Sequence, residues 1–374
     1  LPFRGPLNTT GRRSRSRASA LLAAVTTLVV AVGAAAGPWP PWAEEDTREP
    51  TYPGVTTTVD ELAGRRGAGD LVVVDARPRA TYLSGHVPGA ISIPASDLPN
   101  PPESVAALAE HGLTGREEIV CYGEASFSVD AARFFWLLDA AGAERVSVLE
   151  GGASAWSAAG LELAREERAL APAAWEAKQR PDRVADRAYV ALRFGEEGLE
   201  IIDARGWQPW EGAAATPTAG AVGSPTAGPG APGATPRTGH VPHALPFDFR
   251  DLFLPDGRTM PAEDAREILA AFGPRPSTPV DLWGEFVVHD DGLSGEGAIG
   301  YFLLRRSGVA AVRYYPGGWR EWAADPSLPV VRIVHAEELD TRLARERRWF
   351  RPNAPPSTFA LFDVRHRRDF EGGH

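Results

Sequence analysis

The sequence predicts an α/β fold, a central parallel sheet flanked by helices, and it predicts that fold more than once along the chain. Three observations carry this. Short runs such as Val72–Asp75 are almost wholly apolar, as expected of parallel strands covered on both faces. Strand-like and helix-like stretches alternate, and Asp130–Ala141 presents Phe134, Phe135, Leu137 and Leu138 as an apolar side. One segment is written three times, in Leu71–His86, Glu200–Trp210 and Phe359–His374. Each copy ends an apolar run in Asp-x-Arg: Asp75/Arg77, Asp203/Arg205 and Asp363/Arg365. An aromatic follows seven residues after each Asp (Tyr82, Trp210, Phe370) and a Gly-His pair comes next.

No acidic residue precedes Glu44, whereas Arg4, Arg12, Arg13, Arg15 and Arg17 crowd the start. The following stretch to Ala43 carries no charge and contains ALLAAVTTLVVAVGAAAG. A basic flank, an apolar run and small residues describe a signal peptide, or an anchor about 20 residues long. Residues 1–43 are therefore read as an export signal or membrane anchor, with the repeats on the extracytoplasmic, periplasmic side. Repeat 1 runs over 55–165 and repeat 2 over 185–332. The Arg165–Asp186 connector between them is expected to be helical in part. Within repeat 2, residues 213–238 are rich in Pro, Gly, Ala and Thr and are expected to form a disordered surface excursion. The pattern restarts at 335–374, the opening of a third, truncated repeat.

The second half of the unit also recurs. Ile119–Gly123 (IVCYG) is matched with Val280–Gly284 (VDLWG), each followed by Glu, a loop and a helical stretch. Each unit closes on Gly-Gly-x-x-x-Trp, at Gly151-Gly152…Trp156 and Gly317-Gly318…Trp322. Strand, Asp-x-Arg, GHVPGA turn, strand, loop, helix and GGxxxW, in that order, resemble the rhodanese (thiosulfate sulfurtransferase) family of tandem-repeat type.

That resemblance implies sulfur transfer. A low-pKa cysteine in the loop after the second strand takes the outer sulfur of thiosulfate as a persulfide and passes it to cyanide or a thiol. The family position directly follows the strand aromatic, which makes it Gly123 after Tyr122 and Gly284 after Trp283. Glycine offers no nucleophile. Cys121, the only cysteine in the chain, lies two residues short of the loop, within the strand. It is read as a buried structural residue, and a shifted loop with Cys121 as nucleophile is the alternative. By repeat arithmetic a catalytic cysteine is expected about 37–44 residues beyond His374.

Other residues are given structural readings. Asp75/Arg77 and their counterparts form an ion pair at a strand end, His86 and His240 support a turn, and Trp156 and Trp322 fill the core. His289, Asp290 and Asp291 lack the spacing of a metal loop, and Ser294 or Asp291 is expected to cap the next helix. No cofactor is implied. A net charge of −10 argues against a nucleic-acid partner. The expected partners are a small sulfur-containing anion or thiol acceptor, and a membrane through the N-terminal segment. The alternative function is a non-catalytic binding or scaffolding module of the same fold.

Overall fold

The computed structural model describes residues 54–332 apart from 66, 68, 127, 208, 210–236, 256 and 273–279. The expected N-terminal signal or anchor, most of the 213–238 insert and the opening of the third repeat lie outside the described residues. Among the described residues no helix is long and apolar enough to cross a membrane.

Repeat 1 contains β1 (Thr56–Thr57), α1 (Val59–Arg65), β2 (Leu71–Asp75), α2 (Arg79–Ser84), β3 (Ile91–Ser92), α3 (Ser104–Glu110), β4 (Glu118–Tyr122), α4 (Val129–Ala141), β5 (Arg145–Leu149) and α5 (Gly152–Ala158). Its five strands are all parallel, in the order β1-β5-β4-β2-β3. Repeat 2 contains α6 (Arg187–Arg193), β6 (Leu199–Asp203), β7 (Ala244–Pro246), α7 (Ala262–Ala271), β8 (Glu285–His289), α8 (Glu296–Arg306), β9 (Ala311–Tyr315) and α9 (Gly318–Ala324). Its parallel sheet runs β7-β6-β8-β9. Val184 bridges Tyr314 in parallel beyond β9, so the connector supplies the place that β1 holds in repeat 1. The helix expected in the connector is absent. Only Pro181–Arg183 makes a single 3-10 turn, because Pro172 and Pro181 interrupt any longer helix and the backbone instead hydrogen-bonds across to Ala109, Thr114 and Ala140.

Side-chain alternation along the strands splits each core in two. Val74, Ile119 and Cys121 face the interior shared by both repeats, whereas Val73, Val120 and Tyr122 face a separate outer cluster with Tyr82 and Trp156. In repeat 2, Val288 and Tyr314 face the shared interior, and Val287, Tyr315 and Trp322 form the outer cluster. Both tryptophans are buried, donating Nε1–H to the carbonyls of Glu162 and Pro329.

The repeats pack through the helices that follow their loops. Ser128 starts α4, its Oγ accepting from the Ala131 amide at 3.4 Å, and Gly142 ends it in the left-handed conformation. Phe135 of α4 and Phe302 of α8 each lie twelve residues past the first loop residue of their repeat, and their rings meet edge-to-face at 5.2 Å. Equivalent residues touching one another is the mark of a pseudo-two-fold interface. Trp136 adds an edge contact to Tyr314 at 4.9 Å.

Polar groups lock the same seam. Asp139 of α4 receives Arg180 Nη1 at 2.5 Å, the Tyr301 hydroxyl at 2.6 Å and Arg305 Nε at 3.3 Å, with Arg183 Nε at 3.7 Å. Burial alone would raise this carboxyl. Arg305, Tyr301, Arg183 and Arg180 instead hold it below the ordinary carboxylate range. Asp139→Asn should lower stability by about 3 kcal/mol, the low end for breaking a buried pair from one side, because Arg180 is partly exposed. A depressed folded pKa contributes stability above about pH 4 and loses it as the pH falls through the folded value. Urea melts should therefore separate wild type from variant at about pH 7, and the gap should narrow as the pH falls below about 4.

Candidate functional site

Open α/β sheets bind ligands at the carboxyl ends of their strands. In repeat 1, Asp75 ends β2 and is fully buried. Arg77 returns Nε and Nη2 to its two oxygens at 2.9 and 2.6 Å, and Nη2 also donates to the Gly85 carbonyl. The Tyr122 hydroxyl donates to Asp75 Oδ2 at 2.7 Å and accepts from the Val87 amide at 3.0 Å. Thus Asp-x-Arg, the GHV turn and the end of β4 form one hydrogen-bonded unit. His86 is buried and stacked on Tyr82 at 3.8 Å, and its ring nitrogens face the carbonyls of Tyr82 and Glu166.

The loop after β4 is closed. A Cβ on Gly123 would lie 1.8 Å from Ser128 Oγ, so that space belongs to the cap of α4. Glu124 turns its carboxylate to Arg77 Nη1 at 2.6 Å and accepts from Ser154 Oγ at 3.1 Å. A carboxylate thus satisfies the Arg77 guanidinium where it reaches this loop.

Cys121 points into the shared interior, fully buried, with its sulfur near the carbonyls of Ala131 and Ser147 at 3.8 and 3.6 Å. Burial pushes its thiol up to about 12, away from the thiolate that nucleophilic chemistry requires. Its counterpart in repeat 2 is Val288: β2 pairs Val74 with Cys121, and β6 pairs Ile202 with Val288. A hydrophobe fills the same place.

Repeat 2 corrects the loop position expected at Gly284. Val280–Gly284 is not a strand. Asp281 closes a turn there, its carboxylate accepting from the Trp283 amide at 2.9 Å and its carbonyl from the Gly284 amide at 3.0 Å. Gly284 precedes the strand, at its amino end. The strand is β8, Glu285–His289, in which His289 pairs with Asp203 as Tyr122 pairs with Asp75. The position after it is Asp290. The closing turn agrees independently: the Ala153 amide donates to the Gly123 carbonyl, and the Trp319 amide to the Asp290 carbonyl. Both loops then span six residues, 123–128 and 290–295.

Asp290 fills its loop with its own carboxylate. Oδ1 accepts from the Gly292 amide at 2.7 Å, and Oδ2 from the Gly297 amide at 2.9 Å and the Tyr314 hydroxyl at 3.0 Å. Burial, and secondarily Asp291, raises this carboxyl against those three donors. Asp291 Oδ1 takes the amides of Leu293 and Ser294, while Ser294 Oγ accepts from the Glu296 amide at 3.4 Å. Gly295 is the residue that starts α8. Asp203 and Arg205 repeat the first ion pair at 2.8 and 2.5 Å. His289 does not reproduce Tyr122: its Nε2 is buried without a hydrogen-bond partner, 3.9 Å from Asp203 Oδ2. The described residues contain no group of three or more His, Cys, Asp or Glu side chains arranged to hold a metal ion.

Two closed loops on a duplicated parallel sheet define a class, a tandem α/β protein with its strand-end loops filled by its own residues. Residues 58–159 match the rhodanese-like domain model. The chain is 29% identical over 297 residues to a probable 3-mercaptopyruvate sulfurtransferase of Pseudomonas aeruginosa, covering 73% of this chain and 96% of that protein. It is 29% identical over 281 residues to a thiosulfate sulfurtransferase of Azotobacter vinelandii, covering 72% and 94%. Its fold is similar to the 3-mercaptopyruvate sulfurtransferase SseA of Escherichia coli, with a TM-score of 0.55 at 24% identity over 71% of this chain and 98% of that one. It is also similar to EanB in complex with ergothioneine, with a TM-score of 0.59 at 20% identity over 75% of this chain and 70% of that one. Residues 58–159 thus form a rhodanese-like domain, and most of the chain is homologous to tandem-domain sulfurtransferases.

A thiol buried this deeply should not react with Ellman's reagent in the folded protein. One equivalent should appear only after denaturation, and rapid labelling of the native chain would contradict the burial of Cys121.

Proposed function

We propose that this is an extracytoplasmic sulfurtransferase-family protein in which repeats 1 and 2 form a non-catalytic scaffold and a third repeat carries the sulfur-accepting cysteine. The observation that supports this reading is the content of the two loops. Position 123 is a glycine with no room for a side chain, and position 290 is a carboxylate already bonded to three donors. Neither can attack the outer sulfur of thiosulfate. Phe359–His374 writes the Asp-x-Arg…Gly-His segment again, and a loop cysteine belongs further along that unit. With Asp290 as the second loop position, the distance from the Gly-His histidine to the loop is 37 residues in repeat 1 and 50 in repeat 2. The window for that cysteine widens accordingly.

The reading is tested by thiosulfate:cyanide turnover, repeated with 3-mercaptopyruvate as donor. The 374-residue chain should show none above the uncatalysed rate, and Cys121→Ser should change nothing. A chain extended through a complete third repeat should be active, and lose that activity when its loop cysteine is changed to serine. Turnover by the 374-residue chain, or an inactive complete third repeat, would favour the other readings. These are a shifted active loop in the first case and a purely binding protein of rhodanese fold in the second.

Export is inferred from the basic flank and the apolar run before Pro38. A reporter fused after residue 54 should be protected from protease in intact cells and digested once the outer compartment is opened. Digestion only after lysis of the inner membrane would place the repeats in the cytoplasm instead.

A further inference from the structure

A cavity of about 490 Å³ opens at the seam between the repeats. Its walls include Glu118, Phe135, Asp139, Arg145, Arg180 and Arg305. Glu118 and Arg145 are the first residues of β4 and β5, so the cavity lies at the amino ends of the strands. The strand-end loops lie roughly 13 Å away along the sheet.

The two walls differ in charge. On the sheet side, the acids are spoken for. Glu118 holds Arg65 in a two-point pair at 2.6 Å and also faces Arg145 at 3.8 Å, and Glu144 holds Arg116. On the seam side, Arg180 and Arg305 line the cavity beside the carboxylate of Asp139, while Arg183 lies outside the lining, between Asp139 and Asp182. That wall therefore carries one positive charge in excess. Its donors also outnumber its acceptors. Arg180 gives only Nη1 to Asp139, while the rest of its half-exposed guanidinium borders the cavity. Arg305 spends Nε on Asp139 and Nη1 on the carbonyls of Val309 and Ala310, and its Nη2 bonds to none of them. Forked guanidinium donors beside an open, partly desolvated space match the oxygens of a compact tetrahedral oxyanion.

We infer that the seam cavity binds a small tetrahedral oxyanion of the sulfate, thiosulfate or phosphate kind, with Arg180 and Arg305 as its ligands. The site does not depend on where the sulfur-accepting cysteine lies. Bound there, the anion would join α4 of repeat 1, the connector and α8 of repeat 2, and so tighten the packing of the two repeats.

Sulfate stabilises most folds simply by exclusion from their surface, so a melting shift is a poor readout. Calorimetric titration of the 374-residue chain with sodium sulfate, thiosulfate or phosphate, at ionic strength held constant with chloride, reads binding directly. One site per chain is expected for at least one of these anions. Arg180→Glu, a change at a partly exposed side chain, should weaken binding at least tenfold. Arg180→Lys, which keeps the charge but loses the fork, should fall between. Circular dichroism establishes that both variants remain folded. No heat beyond dilution for all three anions would overturn the site. So would an affinity unchanged in Arg180→Glu, which would mean an adventitious ion only.

Discussion

Asp139 is the group on which the arrangement of the two repeats depends. It lies on α4, the helix that repeat 1 places directly after its loop, and it is nearly inaccessible to water. It takes hydrogen bonds from the connector through Arg180 and from α8 through Tyr301 and Arg305. One carboxylate thus fixes three separate stretches of chain. The apolar contact around it, Phe135 on Phe302 and Trp136 on Tyr314, supplies burial but little direction. Charge-assisted hydrogen bonds supply the direction, since they weaken steeply with angle. Because each repeat contributes its equivalent helix, the interface is closed on itself, and a further unit would have to attach through a different face.

This packing brings the loops of the two repeats together. A Cβ on Gly295 would come within 2.4 Å of Val129, the first residue of α4, so the end of the second loop lies against the start of the first repeat's helix. Each loop is nevertheless satisfied from within. In repeat 1 the Ser128 cap fills the space beside Gly123, and Glu124 neutralises Arg77. In repeat 2 the Asp290 carboxylate takes the amides that would otherwise point at a ligand, one of them at the N-terminus of α8. The same backbone plan is closed in one repeat by missing volume and in the other by added charge.

Much of this was legible in the sequence because it rests on local rules. Apolar runs gave the strands. Asp-x-Arg gave the strand-end ion pair, which both described copies show, and Gly-Gly followed by Trp gave the closing turn and its buried indole. The second loop was misplaced because Trp283-Gly284 imitates Tyr122-Gly123. The better strand signal was Phe286-Val287-Val288, an unbroken β-favouring run, whereas Val280–Gly284 is interrupted by Asp281, a turn former. The connector was misread because charge density suggests a helix, while its prolines and its backbone bonds to repeat 1 forbid one. Asp139 carried no sequence signal at all. Its partners lie 41 to 166 residues away and are assembled only by the seam.

Neither described repeat offers an accessible thiol to accept sulfur. Intact mass spectrometry of the 374-residue chain after incubation with thiosulfate, under non-reducing conditions, tests this most directly. The mass should be unchanged, because positions 123 and 290 hold no thiol and Cys121 is buried in the shared core. A gain of one sulfur atom, lost again on adding cyanide and absent in Cys121→Ser, would contradict it and make Cys121 the nucleophile.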